Sequence, residues 1–244
     1  MAGFGSCGKL VTMNLDDTCA PPAAVFWDYD GTLVDTQPIW LQVEKDIAAS
    51  YGREWTDELA CSAVGISGIR AAQMLLDLVQ DPDMTAEDME HLRSSMVAER
   101  VAAEPLSFRP GADTLLDTCA ENGIPCVLVS ASPRFVLDAG VGRMPSRWFA
   151  ATISGDEITR PKPDPQGYLL AASTLGVDPA SCLVIEDSAP GCEAGRRSGA
   201  AVLAVPNMTQ LEPCPGQVIR PSLEGLSVED LGEICAQAHA SLEY

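Results

Sequence analysis

Lysine is nearly missing from this 244-residue chain, which carries only Lys9, Lys45 and Lys162. With arginine included there are 15 cationic side chains against 35 Asp and Glu, a formal net charge of −20. A field of that sign excludes nucleic acid and anionic membrane surfaces as natural partners, because their phosphates are repelled. Long apolar runs are missing as well, although 46% of the residues are hydrophobic, so no segment reads as a membrane span. Histidine occurs only at His91 and His239, both in helical, polar surroundings that read as surface. The nine cysteines are odd in number and make no C-x-x-C pair or Cys/His cluster. A zinc site therefore lacks its ligands, and the pattern suits reduced thiols in a cytoplasmic protein. Residues 1–22 lack the basic start and apolar block of a secretory signal, and they read as a disordered tail.

What is present is enough chain for a substantial core, as one large domain or one domain carrying an insertion. Short apolar runs recur at 23–30, 124–132, 149–157, 182–188 and 200–205, each flanked by Gly or Pro. They suit buried parallel strands. Helix-like segments at 111–123, 164–176 and 189–199 alternate with them, each ending in Gly. This alternation predicts an α/β fold, a Rossmann-like parallel sheet with helices on both faces. From about residue 38 to 107 no strand-like run occurs. The patterns there are helical, and "GIRAAQMLLDLVQ" sets Ile69, Met74, Leu75, Leu78 and Val79 on one face. The expected organisation is a core of 23–37 and 108–244 with an all-helical cap, 38–107, inserted after the first strand. Ser227-x-x-Asp230 reads as a capping box opening a closing helix.

The polar residues gather where the apolar runs end. "AVFWDYDGTLVDT" crowds Asp28, Asp30 and Asp35 around a Gly-Thr turn. Repulsion and desolvation both oppose ionising carboxylates there, so a positive partner is expected. The second run ends in Ser130, the fourth in Glu186 and Asp187, and Lys162 follows the third by a short loop. Ligands of open α/β sheets bind outside the carboxyl ends of the strands, which is where all of these fall.

Those residues, in that order, resemble the four motifs of the haloacid dehalogenase superfamily. They are Asp28-Tyr29-Asp30-Gly31-Thr32, Ser130 in "VLVSAS", Lys162 in "RPKPDP" and Glu186-Asp187 in "VIEDSAPG". By average composition D-x-D-G-T alone turns up in only about a few per thousand chains of this size. The likeness runs over roughly residues 24–206 and is nearest to the capped phosphatase and β-phosphoglucomutase-like branch. It implies a Mg²⁺-dependent phosphatase that hydrolyses a small phosphorylated metabolite, a sugar or polyol phosphate, through an aspartyl phosphate. Phosphoglycolate and glycerol phosphate are further candidates.

The same resemblance implies the roles. Asp28 is the nucleophile and Asp30 the acid and then the base. Ser130, Ala131 and Lys162 hold the phosphoryl group. The metal is held by Asp28, the Asp30 backbone carbonyl and Asp187, with Glu186 as ligand or orienting residue. Dehalogenases lack an acid at the place of Asp30, and the phosphonate-cleaving branch lacks it too and uses a cap lysine, so both are disfavoured. The loop "GISGIR", with Ser67 and Arg70, offers donors for substrate hydroxyls or a second anionic group. The alternatives are a sugar phosphomutase and a catalytically silent binding module. Phosphomutases of the family carry a hinge histidine where this chain has Trp40, whose indole cannot titrate near neutrality. The expected assembly is a monomer or weak dimer.

Overall fold

The computed structural model describes residues 19–63 and 66–242. Most of the expected tail, and Gly65 of the "GISGIR" loop, lie outside the described residues. Six strands form one sheet: β1 (Ala24–Trp27), β2 (Cys126–Val129), β3 (Ala151–Ile153), β4 (Cys182–Glu186), β5 (Ala201–Ala204) and β6 (Gln217–Ile219). Their order is β3-β2-β1-β4-β5-β6, and every neighbouring pair is parallel. Such an order reverses between β1 and β4, and the crevice beyond their carboxyl ends is where this topology seats a ligand.

Nine α-helices accompany the sheet among the described residues: α1 (Gln37–Ser50), α2 (Asp57–Ala63), α3 (Gly68–Val79), α4 (Ala86–Ala103), α5 (Ala112–Glu121), α6 (Arg134–Val141), α7 (Gln166–Leu175), α8 (Ala189–Arg197) and α9 (Val228–Ala240). No described helix is long and apolar enough to cross a membrane. The period of two in β1 sends Val25 and Trp27 into one core with Leu115, Leu116, Leu231 and Ile234 of α5 and α9. Ala24 and Phe26 enter the opposite core, with Tyr168 and Ala172 of α7 and Ala194 of α8. Burial on both faces explains why these strands read as unbroken apolar runs.

Helices α1 to α4 follow one another without a strand and pack around a third cluster, in which Val43, Ile47, Leu75, Met89 and Val97 are buried. Thr85 caps α4 and Ser227 caps α9, each in a reciprocal box with the acid three residues on. The observed face of α3 keeps most of the predicted one: Leu75 and Val79 are buried and Met74 and Leu78 pack partly buried on the same cluster, joined by Ala71 and Ala72, whereas Ile69 is 40% exposed. Three elements left no sequence signal. Helix α2 has no buried residue and so no periodicity. Strand β6 is a three-residue, half-buried edge, and α6 spans only about two turns after Pro133.

Candidate active site

The turn after β1 points two carboxylates the same way. Tyr29, between them, is fully buried, as alternation along an extended chain requires. Gly31 then adopts φ +89°, and a Cβ there would lie 2.3 Å from Asp187 Oδ2. Only glycine lets the β1 turn approach the end of β4 this closely.

Beneath the turn lies a buried charge network. Lys162 Nζ donates to Asp28 Oδ1 at 2.5 Å, to Glu186 Oε1 at 2.6 Å and, more weakly, to the Val129 carbonyl at 3.4 Å. The Tyr168 hydroxyl also donates to Glu186 Oε1, at 2.7 Å. The second Glu186 oxygen accepts from the Ser188 hydroxyl and from the backbone N–H groups of Asp187 and Ser188. Asp187 takes a 3.3 Å hydrogen bond from Thr32. Burial first, and then the Glu186 charge, push the Asp28 carboxyl up to about 7, although Lys162 pulls the other way. Burial, followed by the charges of Asp28 and Glu186, pushes Asp187 up to about 8. Burial also opposes the charge on Lys162, but Asp28 and Glu186 outweigh it and hold its ammonium well above the ordinary lysine range.

Asp28, Glu186 and Asp187 can bring one carboxylate oxygen each within 4.8 Å of one another. Hard oxygen donors, crowded where their own charge is disfavoured, fit a divalent cation such as Mg²⁺. The carboxylate of Asp30 is not in this group. Its Oδ1 accepts from Thr36 Oγ1 at 2.7 Å and from Trp40 Nε1 at 3.1 Å. Its Oδ2 accepts from Ser130 Oγ at 3.2 Å and Ser132 Oγ at 2.7 Å. Asp30 thus faces hydroxyls and an indole, and Asp28 faces the lysine.

These groups open onto a cavity of about 720 Å³ between the strand ends and the α1–α4 helices. Asp28, Asp30, Ala131, Lys162 and Asp187 line it. Ser130 is fully buried behind the wall, and its hydroxyl donates to Asp30. Glu186 is likewise fully buried beneath Lys162. Arg70 is exposed and does not line the cavity. At the start of α3 it is Ser67, Gly68 and Ala71 that face inward, so the cation expected from this loop is not there.

A different arginine is. Arg93, 5% exposed on α4, lines the cavity together with Glu44 and Glu90. It donates to Glu44 Oε1 at 2.8 Å, to Glu90 Oε2 at 2.8 and 3.1 Å, and to the Gly68 carbonyl at 3.4 Å. Its guanidinium lies 4.4 Å from the centre of the Trp40 ring. A usable signal existed in the sequence: Arg93 falls at four-residue spacing with Met89, Val97 and Val101, on a face that should be apolar. Ser132, two residues after Ser130, also lines the cavity and donates to Asp30. Asn207, beyond β5, also lines the cavity and joins Arg109 to Asp35 through hydrogen bonds of 3.0 and 3.4 Å.

A family model described as haloacid dehalogenase-like hydrolase matches residues 22–199. The bifunctional riboflavin kinase/FMN phosphatase of Arabidopsis thaliana is 30% identical over 208 residues, or 83% of this chain. The chain spans only 54% of that relative's length. Hexitol phosphatase B of Escherichia coli is 32% identical over 194 residues, covering 75% of this chain and 83% of its own. Among solved structures, CbbY from Rhodobacter sphaeroides in complex with phosphate superposes with a TM-score of 0.75 at 22% identity, over 84% of this chain and 96% of that one. That likeness is one of fold.

Proposed function

Since the chain belongs to the haloacid dehalogenase-like hydrolase family, we propose that it is a phosphatase that hydrolyses a small phosphate monoester, a sugar or polyol phosphate, through an aspartyl phosphate on Asp28. The observation that carries this reading is the division of labour between two neighbouring carboxylates. Asp28 is paired with a buried lysine, and Asp30 sits among hydroxyl groups at the same cavity. The phosphatases among its relatives support the choice of reaction.

Asp28 attacks phosphorus in line, and the bond from phosphorus to the ester oxygen breaks. Asp30 protonates the departing alcohol and then takes a proton from the water that attacks the aspartyl phosphate, which releases inorganic phosphate and restores Asp28. Lys162 offsets charge on Asp28 and on the phosphoryl oxygens. Glu186, with both oxygens already bonded, orients Lys162 and the turn carrying Asp187. Asp28, Asp187 and the Asp30 backbone carbonyl would hold Mg²⁺, which supplies positive charge opposite the transferring group when bound.

Residues 38–107 serve as a cap that closes over the substrate. Trp40 carries no titratable proton and bonds to Asp30, which supports transfer to water over return of the phosphoryl group to a sugar. A cytoplasmic setting goes with this reading, since the eight described cysteines are free and four of them are buried in the core. The test is phosphate release from p-nitrophenyl phosphate and a panel of sugar and polyol phosphates, with Mg²⁺ and with EDTA. Metal-dependent release that Asp30→Asn slows by at least about a hundredfold supports the reading. No release from any monoester leaves a silent binding module. Isomerisation of a hexose phosphate without phosphate release makes the protein a mutase.

A further inference from the structure

The end of the cavity away from Asp28 has its own charge pattern. Among the described residues, six carboxylates line the cavity (Asp28, Asp30, Asp35, Glu44, Glu90 and Asp187) against two cations, Lys162 and Arg93. Lys162 is held at the phosphate end by Asp28 and Glu186. Arg93 is the cation of the helical wall, and it is occupied. Its N–H groups bond to Glu44, Glu90 and the Gly68 carbonyl, and one of its faces lies on Trp40. Releasing it toward a ligand would leave Glu44, itself 5% exposed, as a buried charge without its partner. The start of α3 locks the arrangement, because a Cβ on Gly68 would lie 2.4 Å from Glu90 Oε1. The helical wall therefore presents two carboxylates around one immobilised guanidinium. Glu90 also accepts from Ser94 Oγ at 2.9 Å, and the acceptor positions that remain on two carboxylates suit hydroxyl donors, while an anion meets two acceptors and no free donor there among the described residues.

We infer that this wall reads the hydroxyls of an uncharged tail and rejects a second anionic group. Resting on the phosphatase reading above, this makes the substrate a sugar or polyol carrying a single phosphate, and it removes phosphoglycolate and sugar bisphosphates from the candidates. The cavity volume is of the size that encloses a small organic ligand.

A matched pair isolates the effect. Glucitol 6-phosphate and 6-phosphogluconate share a six-carbon chain and differ at the far end, a hydroxymethyl group in one and a carboxylate in the other. With Mg²⁺ present, kcat/KM for glucitol 6-phosphate is expected to exceed that for 6-phosphogluconate by about a hundredfold. Glu90→Gln, which keeps the size of the side chain and removes one charge, should narrow that ratio by about tenfold. Ser67→Lys should narrow it as well. Ser67 lines the cavity at the start of α3, where its side chain makes no capping bond, so the new cation joins the wall without removing a helix cap. Release from both substrates with a ratio within about threefold, or a ratio that neither variant changes, overturns the inference and leaves the phosphatase reading standing. Failure of the wild type to release phosphate from either substrate and from p-nitrophenyl phosphate overturns both.

Discussion

Replacing Lys162 with Met removes the one cation that touches Asp28 among the described residues. The side chain is 12% exposed, and its ammonium sits 2.5 Å from Asp28 and 2.6 Å from Glu186. Removing one partner from a buried ion pair costs about 3–5 kcal/mol of stability. Here the loss grows with pH, because the stranded Asp28 can take up a proton only below its raised pKa. The chemistry suffers separately. A charge contact to the transferring group is worth about 2.7–4 kcal/mol, or a factor of about 10² to 10³ in kcat. The Asp28 carboxyl, already near 7 with the lysine pulling it down, moves higher without it and is less often ionised. Lys162→Met should therefore lower kcat at least about a hundredfold near neutrality. The assay is steady-state phosphate release at saturating substrate and Mg²⁺, with circular dichroism to verify the fold. A kcat within about threefold of wild type would refute the assignment of Lys162 to the reacting group.

The metal-free protein should be less stable at about pH 8 than at about pH 5. Asp28 and Asp187 titrate near 7 and 8 when folded, against 3.8 ordinarily. Between those limits the folded state therefore holds protons that the unfolded state has released, and stability falls as pH rises. Thermal melts should show Mg²⁺ raising Tm more at the higher pH. Equal shifts at both values would contradict the carboxylate cluster as the metal site. Trp40→Phe deletes one donor to Asp30 and keeps an aromatic face beneath Arg93. It should lower kcat about tenfold with KM nearly unchanged, as one hydrogen bond to a charged group allows. An unchanged kcat would mean that the indole does not hold Asp30 during turnover.

The strand ends were legible because parallel α/β topology forces them together. Once the apolar runs are recognised, Asp28, Lys162, Glu186 and Asp187 must share one edge of the sheet, however far apart they lie in the chain. The register of β1 against β4, with Trp27 opposite Ile185, carries this out. The helical wall obeys no such rule. Arg93 meets Glu44 across 49 positions and two helices, and although its place on the apolar face of α4 marks Arg93 as buried, nothing local names Glu44 as its partner. Arg70 was the more visible arginine because it neighbours a Gly-Ser loop, yet α3 sets Ser67, Gly68 and Ala71 toward the cavity and leaves Arg70 in solvent. Ile69 misled for a related reason: periodicity identifies a stripe, and only packing decides which end of it is covered. Ser130 falls at the end of β2 as its run predicts, and the bond that its hydroxyl shares with Ser132 to Asp30 depends on the turn after β2, which no periodicity describes.

The central claim is that phosphate passes through Asp28. Rapid acid quenching during turnover of p-nitrophenyl phosphate, followed by mass spectrometry of the peptide spanning residues 24–36, tests it directly. The account predicts one phosphoryl group on that peptide, localised to Asp28, removed by hydroxylamine and missing from Asp28→Asn, which also loses phosphate release. Steady release with no phosphoryl group ever captured on Asp28, together with inversion of configuration at phosphorus in a chiral substrate, would contradict it.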